Sequence, residues 1–177
     1  MLIMNYYIAD LHLGHANIIK HSKRPFDNVL EMDKVLIENW NSVITDKDDV
    51  YILGDLAFRS HRDDTKRYLS QLKGKKHLIV GNHDDTIVKN RDLREFFVEI
   101  RDYKEISDNG YKIVLCHYPL IEWNGYYRNT LHFYGHIHNN DENATSKYMK
   151  TVENAYNVGA DVIGFTPRTF SEIVNNR

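Results

Sequence analysis

The stretch Leu78-Ile79-Val80-Gly81-Asn82-His83-Asp84 constrains this chain more than any other. Three apolar residues, two of them β-branched, predict a buried strand, and the glycine turns the chain sharply behind it. An amide, an imidazole and a carboxylate then stand side by side. An amide oxygen is a hard metal ligand, an imidazole can shuttle a proton, and a carboxylate can fix its tautomer. In α/β proteins the loops beyond the carboxyl ends of strands form the crevice where ligands bind. Taken alone, Gly-Asn-His-Asp also reads as an ordinary polar turn. Recurrence sharpens it: an apolar strand followed by metal-ligand residue types occurs four more times.

The first instance is Asn5 to Ala9, followed by Asp10-Leu11-His12. In an extended segment Asp10 and His12 lie on one side, where both can reach one ion. His15, just beyond, is a pocket-lining candidate. Val50 to Leu53 leads into Gly54-Asp55. Tyr111 to Cys116 delivers His117, with Pro119 stopping the strand, and Cys116 faces away as a core thiol. Leu131 to Tyr134 delivers Gly135-His136-Ile137-His138, two histidines on one side of an extended backbone.

The remaining chain supplies a scaffold. Ala16 to Lys20 reads as a short helix. Asp27 reads as the N-cap of a long helix from Asn28 to Ile44, whose Met32, Leu36 and Trp40 recur at helical spacing as core. Helices are also expected over 63–72, within 86–97 and over 171–175. Val98 to Ile106 and Tyr111 to Cys116 predict two strands of a second sheet, which Tyr148 to Ala155 and Asn157 to Val162 complete. Arg24 and Arg59 are candidates for holding a substrate phosphate, with solvent-exposed arginine as the other reading. Trp123, in an aromatic loop with Tyr126 and Tyr127, either stacks a base or packs against the body of the protein.

With 177 residues, 42% hydrophobic and 27% charged, the chain is expected to form one domain over residues 1–177 with a sizeable core. A formal charge of −2 gives no general attraction to nucleic acid or anionic membrane. No apolar run approaches the ~20 residues of a membrane span, and no leader pattern opens the sequence. The single cysteine rules out an internal disulfide and suits a cytoplasmic location. Ten histidines are unusual for this length, and several sit at strand ends rather than in a terminal tag.

Asp10, His12, Asp55, Asn82, His117, His136 and His138 are nitrogen and oxygen donors without a thiolate. Such a set suits Mn²⁺, Fe or Zn²⁺, with Ni²⁺ also compatible, and is too large for one tetrahedral ion. It suffices for two divalent ions if one carboxylate bridges them, and two ions ~3.5–4 Å apart can clamp an oxyanion.

The order Asp-x-His, Gly-Asp, Gly-Asn-His-Asp, His, Gly-His-x-His resembles the calcineurin-like metallophosphoesterase superfamily, with all five motifs intact between Asp10 and His138. It is most similar to the small uncapped bacterial and phage members. The resemblance implies a four-layer α-β-β-α sandwich of two mixed sheets flanked by helices. It implies that Asp10, His12 and His138 hold one metal, that Asn82, His117 and His136 hold the second, and that Asp55 bridges them. Under it His83 assists the leaving group and Asp84 orients His83. The implied reaction is in-line attack of a metal-bridging hydroxide on a phosphodiester or phosphomonoester, with a nucleotide among the candidate substrates. A monomer or small homo-oligomer is expected. The alternative is a non-catalytic scaffold of the same fold that binds protein. The complete ligand set and His83 weigh against it.

Overall fold

A computed structural model describes residues 3–58 and 61–176. Its strands are β1 (Asn5–Ile8), β2 (Asp49–Ile52), β3 (Lys75–Ile79), β4 (Phe97–Arg101), β5 (Tyr103–Asp108), β6 (Tyr111–Cys116), β7 (Leu131–Tyr134), β8 (Ala155–Asn157) and β9 (Arg168–Thr169). Its helices are α1 (Ala16–His21), α2 (Val29–Val43), α3 (Arg62–Gln71), α4 (Asp85–Lys89), α5 (Arg91–Arg94), α6 (Ala144–Met149) and α7 (Phe170–Asn175). No helix among the described residues is long and apolar enough to cross a membrane.

Two mixed sheets form, in the orders β4-β3-β2-β1-β9 and β5-β6-β7-β8. β1 to β4 run parallel, with β9 antiparallel at one edge. In the second sheet β6, β7 and β8 are parallel and β5 antiparallel.

The layering follows from strands that are apolar on both faces. Tyr7, Tyr51, Leu53 and Ile79 from the first sheet meet Ile113, Leu115 and Phe133 from the second in one buried cluster. The alternate residues Ile8, Val50, Ile52 and Leu78 face outward onto Met32, Leu36 and Trp40 of α2 and Leu69 of α3. On the far side Val114 and Tyr134 pack with Met149, Val152 and Trp123. A strand covered on both faces reads as a continuous apolar run, which is how β1, β2, β3 and β7 read. The result is a four-layer α-β-β-α sandwich.

The structure corrects four local expectations. The segment Val98 to Ile106 is not one strand: it breaks at Asp102, leaving β4 beside β3 in the first sheet and β5 beside β6 in the second. Extended periodicity is continuous across the break because it records backbone conformation, not the neighbouring strand. Residues 148–154 are not a strand either, and only Ala155 of that segment belongs to one, as the first residue of β8. The side chain of Asn143 accepts a hydrogen bond from Ser146 N at 2.7 Å and caps α6 instead. Residues 157–162 form only the end of β8 and then a turn closed by Val162 N donating to Gly159 O. At α2 the cap is Asn28, whose Oδ1 accepts from Glu31 N at 3.0 Å, while Asp27 N donates to Glu31 Oε2.

Candidate metal centre

β1, β2, β3, β6 and β7 all end at one edge of the sandwich, and each is followed by one or two of the ligand-type residues. Backbone hydrogen bonds tie this edge together. Asp10 N donates to Gly54 O, Gly135 N donates to His117 O, and Ala9 exchanges bonds with Val158 and Ala160 across the two sheets. Glycine permits the closest approaches. A Cβ on Gly81 would strike Asp55 Oδ1 and lie 2.7 Å from Asp55 N, and one on Gly135 would lie 2.5 Å from Asp10 Oδ2.

The backbone at the ligands is not the extended one expected for Asp10, His12, His136 and His138. All four, and Asp55, have left-handed φ, between 49° and 70°. Each such conformation is costly for a residue with a Cβ, and these concentrate where surrounding structure holds side chains for a purpose. The side chains converge because tight loops turn them inward, not because a strand alternates.

Two nests of donors result. Asp10, His12 and His138 bring one ligand atom each within 4.8 Å of one another, and so do Asp10, Asp55 and His117. Asp55 Oδ2 lies 3.6 Å from His12 Nε2 and 3.6 Å from His117 Nε2, between the two. Near His117 Nε2 are also Asn82 Oδ1 at 3.1 Å and His136 Nδ1 at 3.2 Å. All seven ligand-type residues read from the sequence are therefore gathered.

The donor chemistry fits cations. His117 Nδ1 donates to Leu53 O at 2.8 Å, which leaves Nε2 as a lone pair. That lone pair faces an amide oxygen and a carboxylate oxygen, an arrangement of acceptors that a cation between them would satisfy. His12 is 2% exposed, and among the described residues neither of its ring nitrogens has a hydrogen-bond partner; nor does the buried Asp10 Oδ1. Unsatisfied buried polar atoms are uncommon and each asks for a reason.

Electrostatics favours the ligating form at three of the histidines. Burial pushes the Asp10 carboxyl up to about 7, with nearby Asp55 adding to the rise and His138 opposing it. Burial also drives the His12 imidazole far below its ordinary value and lowers His117 and His136, so all three favour the neutral, ligating form. At His138 burial opposes protonation, but the Asp161 carboxylate 2.7 Å from Nδ1 and the nearby Asp10 together outweigh it, and the imidazole rises.

The cleft over this centre measures about 700 Å³ and is lined by His15, His83, Tyr118, Pro119, Asn139 and Asn143 among others. His83 N donates to Asp55 Oδ1 at 2.8 Å, and its ring packs near His12 and Phe58. His15 lines the cleft. Its ring stacks on Phe58 at 3.5 Å, and burial holds it down to about 4.

Three candidate residues do something else. Asp84 does not orient His83. It is 1% exposed, and its carboxylate accepts from Gly81 N, Asp55 N and Leu56 N at 2.8, 2.9 and 3.0 Å, bracing the two loops against each other. Arg24 is not an exposed phosphate-seeking arginine but is buried with four committed hydrogen bonds to Asp161, Asp10 O and Leu11 O. Trp123 packs in the outer core and donates its indole N–H to Thr130 O at 2.8 Å, away from the cleft. Arg59 lies outside the described residues. Asp161 is the residue that sequence reasoning missed. It follows no predicted strand in a recognisable motif, and its link to His138 spans a sequence separation of 23.

No family model matches the chain. The protein MJ1445 of Methanocaldococcus jannaschii, called uncharacterized, is 36% identical over 174 residues, spanning 96% of this chain and 88% of that protein. The gene 66 protein of Mycobacterium phage L5 is 36% identical over 92 residues, spanning 51% of this chain and 44% of its own. The crystal structure of AQ665 from Aquifex aeolicus, titled a protein of unknown function, superposes with a TM-score of 0.77 at 29% identity. That match covers 99% of this chain and all of the other.

Proposed function

We propose that this chain, which belongs to the family of the Methanocaldococcus jannaschii protein MJ1445, is a metal-dependent phosphoesterase acting on phosphodiesters. The observation that carries the reading is the place of Asp55, whose Oδ2 stands 3.6 Å from a ring nitrogen of each nest. One carboxylate between two sets of donors is the layout of a dinuclear site. Asp10, His12 and His138 would hold one divalent ion and Asn82, His117 and His136 the other, with Asp55 shared. Two such ions, Mn²⁺ foremost, supply positive charge for phosphoryl oxygens and make water at the site a better nucleophile near neutral pH.

The chain's own side chains do the rest. His83 projects into the cleft from a backbone anchored on Asp55, placed to give a proton to the departing oxygen. His15 and Tyr118 form the walls against which the ester's organic group lies. Asp84 keeps Gly81 and Asp55 in register, so the shared carboxylate and His83 move as one unit.

Hydrolysis of bis-p-nitrophenyl phosphate against p-nitrophenyl phosphate tests the reading. The protein is stripped of metal and then supplied with Mn²⁺. Mn²⁺-dependent diester cleavage is expected, abolished in Asp55→Asn and lowered about 10²–10⁴-fold in His83→Ala. No turnover of either ester with any divalent metal would overturn it.

A further inference from the structure

Behind the centre, on the side away from the cleft, a buried ion pair touches two of the proposed ligands at once. Arg24 Nε donates to Asp161 Oδ1 at 2.7 Å and Nη2 to Asp161 Oδ2 at 3.2 Å, with both side chains at most 1% exposed. Nη2 also donates to Asp10 O at 2.7 Å, and Nη1 to Leu11 O at 2.8 Å. On its other side Asp161 Oδ2 meets His138 Nδ1 at 2.7 Å.

From this geometry we infer that Asp161, held by Arg24, is a positioning residue that sets the tautomer and direction of His138 for metal binding. The inference rests on the dinuclear reading above. A carboxylate can only accept, so Nδ1 of His138 carries the proton and Nε2 keeps its lone pair for the nest it shares with Asp10 and His12. A carboxylate behind a ligating imidazole also strengthens it as a donor.

His138 needs such support. Its φ is 49°, so no regular element aims its ring, and the neighbouring backbone is itself held by Asn157 Nδ2 donating to His138 O at 2.9 Å. Arg24 extends the same control to Asp10. Its planar fork directs separate N–H groups at Asp161 and at the carbonyls of Asp10 and Leu11, which a lysine could not reproduce. One buried pair thus fixes the backbone of one ligand and the side chain of another.

Stability alone is a poor account of the pair. Burying two charges carries a desolvation cost that can exceed their attraction, and apolar residues of similar volume are often as stable. Its placement against two ligands supplies the reason that stability does not.

Calorimetric titration of the metal-stripped full chain with Mn²⁺ tests this, comparing wild type with Asp161→Asn. Alongside it, ¹⁵N spectra of the metal-free proteins report which nitrogen of His138 is protonated. Wild type is expected to bind two ions with His138 protonated at Nδ1. Asp161→Asn is expected to lose about 10–100-fold in affinity at one site, keep the other, and show a mixed His138 tautomer. Unchanged affinity at both sites with an unchanged tautomer, in a variant that melts like wild type, would overturn the inference. If Asp161→Asn fails to fold because Arg24 is left unpaired, the double variant Arg24→Met, Asp161→Leu removes both charges and is read the same way. A wild type that binds no divalent metal would sink the dinuclear reading instead, and the His138 tautomer would still decide this one.

Discussion

Asp84 illustrates how one side chain can matter without touching a reacting atom. Three backbone N–H groups, all at buried positions, end on its two oxygens. Burial lifts the carboxyl to about 7, while those three N–H bonds pull it back toward the charged form. Asp84→Ala leaves all three donors buried and unpaired, and stranded polar groups cost about 1–3 kcal/mol each. A loss of at least about 3 kcal/mol is expected in urea unfolding of the metal-stripped protein. His83→Ala, which removes a ring that makes no such bonds among the described residues, is expected to lose far less. Equal losses would show that the three N–H bonds do not set what Asp84 contributes to stability. Nothing in the residue types Asn-His-Asp separates these roles, because both use a carboxylate acceptor. Only the positions of the N–H groups on two other loops decide.

At the scale of the element, α2 shows the same division. The apolar stripe of Met32, Leu36 and Trp40 is buried as its spacing predicts, and Trp40 Nε1 finds Lys73 O at 3.0 Å. Its start is less legible, since Asp27 and Asn28 are both good capping residues in adjacent positions. Asn28 wins because its backbone is extended, at φ −155° and ψ 169°, and its side chain reaches Glu31 N. Asn28→Ala is therefore expected to cost about 1 kcal/mol, and Asp27→Ala close to nothing. In a domain of this size 1 kcal/mol lowers the melting temperature by about 2–4 °C, which a thermal scan of the two variants resolves. The strand elements divide likewise. β1, β2, β3, β6 and β7 are legible from their apolar runs, whereas the break at Asp102 and the two-residue β9 are not, since each depends on which distant strand lies alongside.

The whole molecule carries a pH dependence through His132 on β7, which is fully buried between the sheet and the aromatic outer layer. Its Nε2 accepts from Leu120 N and its Nδ1 donates to Val114 O, both at 3.1 Å, an arrangement that suits only the neutral ring. Burial pushes it down to about 4. Between about 6.5 and about 4 the unfolded chain therefore binds a proton that the folded chain refuses, and stability falls as pH falls through that window. From pH 7 to pH 5, metal-stripped wild type is expected to lose about 2 kcal/mol more than His132→Phe in urea unfolding. Identical losses would show that His132 is not held neutral.

The sequence by itself determined the chemistry available to this protein. Five apolar runs each end in hard or borderline ligands, and a ligand's character belongs to its side chain wherever the chain goes. It also determined the core, because apolar periodicity is a local property of strand and helix. Tertiary structure alone decided how these ligand-type side chains meet. The extended spacing read at Asp10-x-His12 and His136-x-His138 is not what brings them together; left-handed turns at a shared sheet edge do that. It decided too that Arg24 would be buried against Asp161, and that Asp161 would meet His138 at all. The physical reason is the same in each case. Periodicity and residue type are written within a few residues, whereas a contact such as that between Arg24 and Asp161, 137 residues apart, exists only once the two sheets have packed.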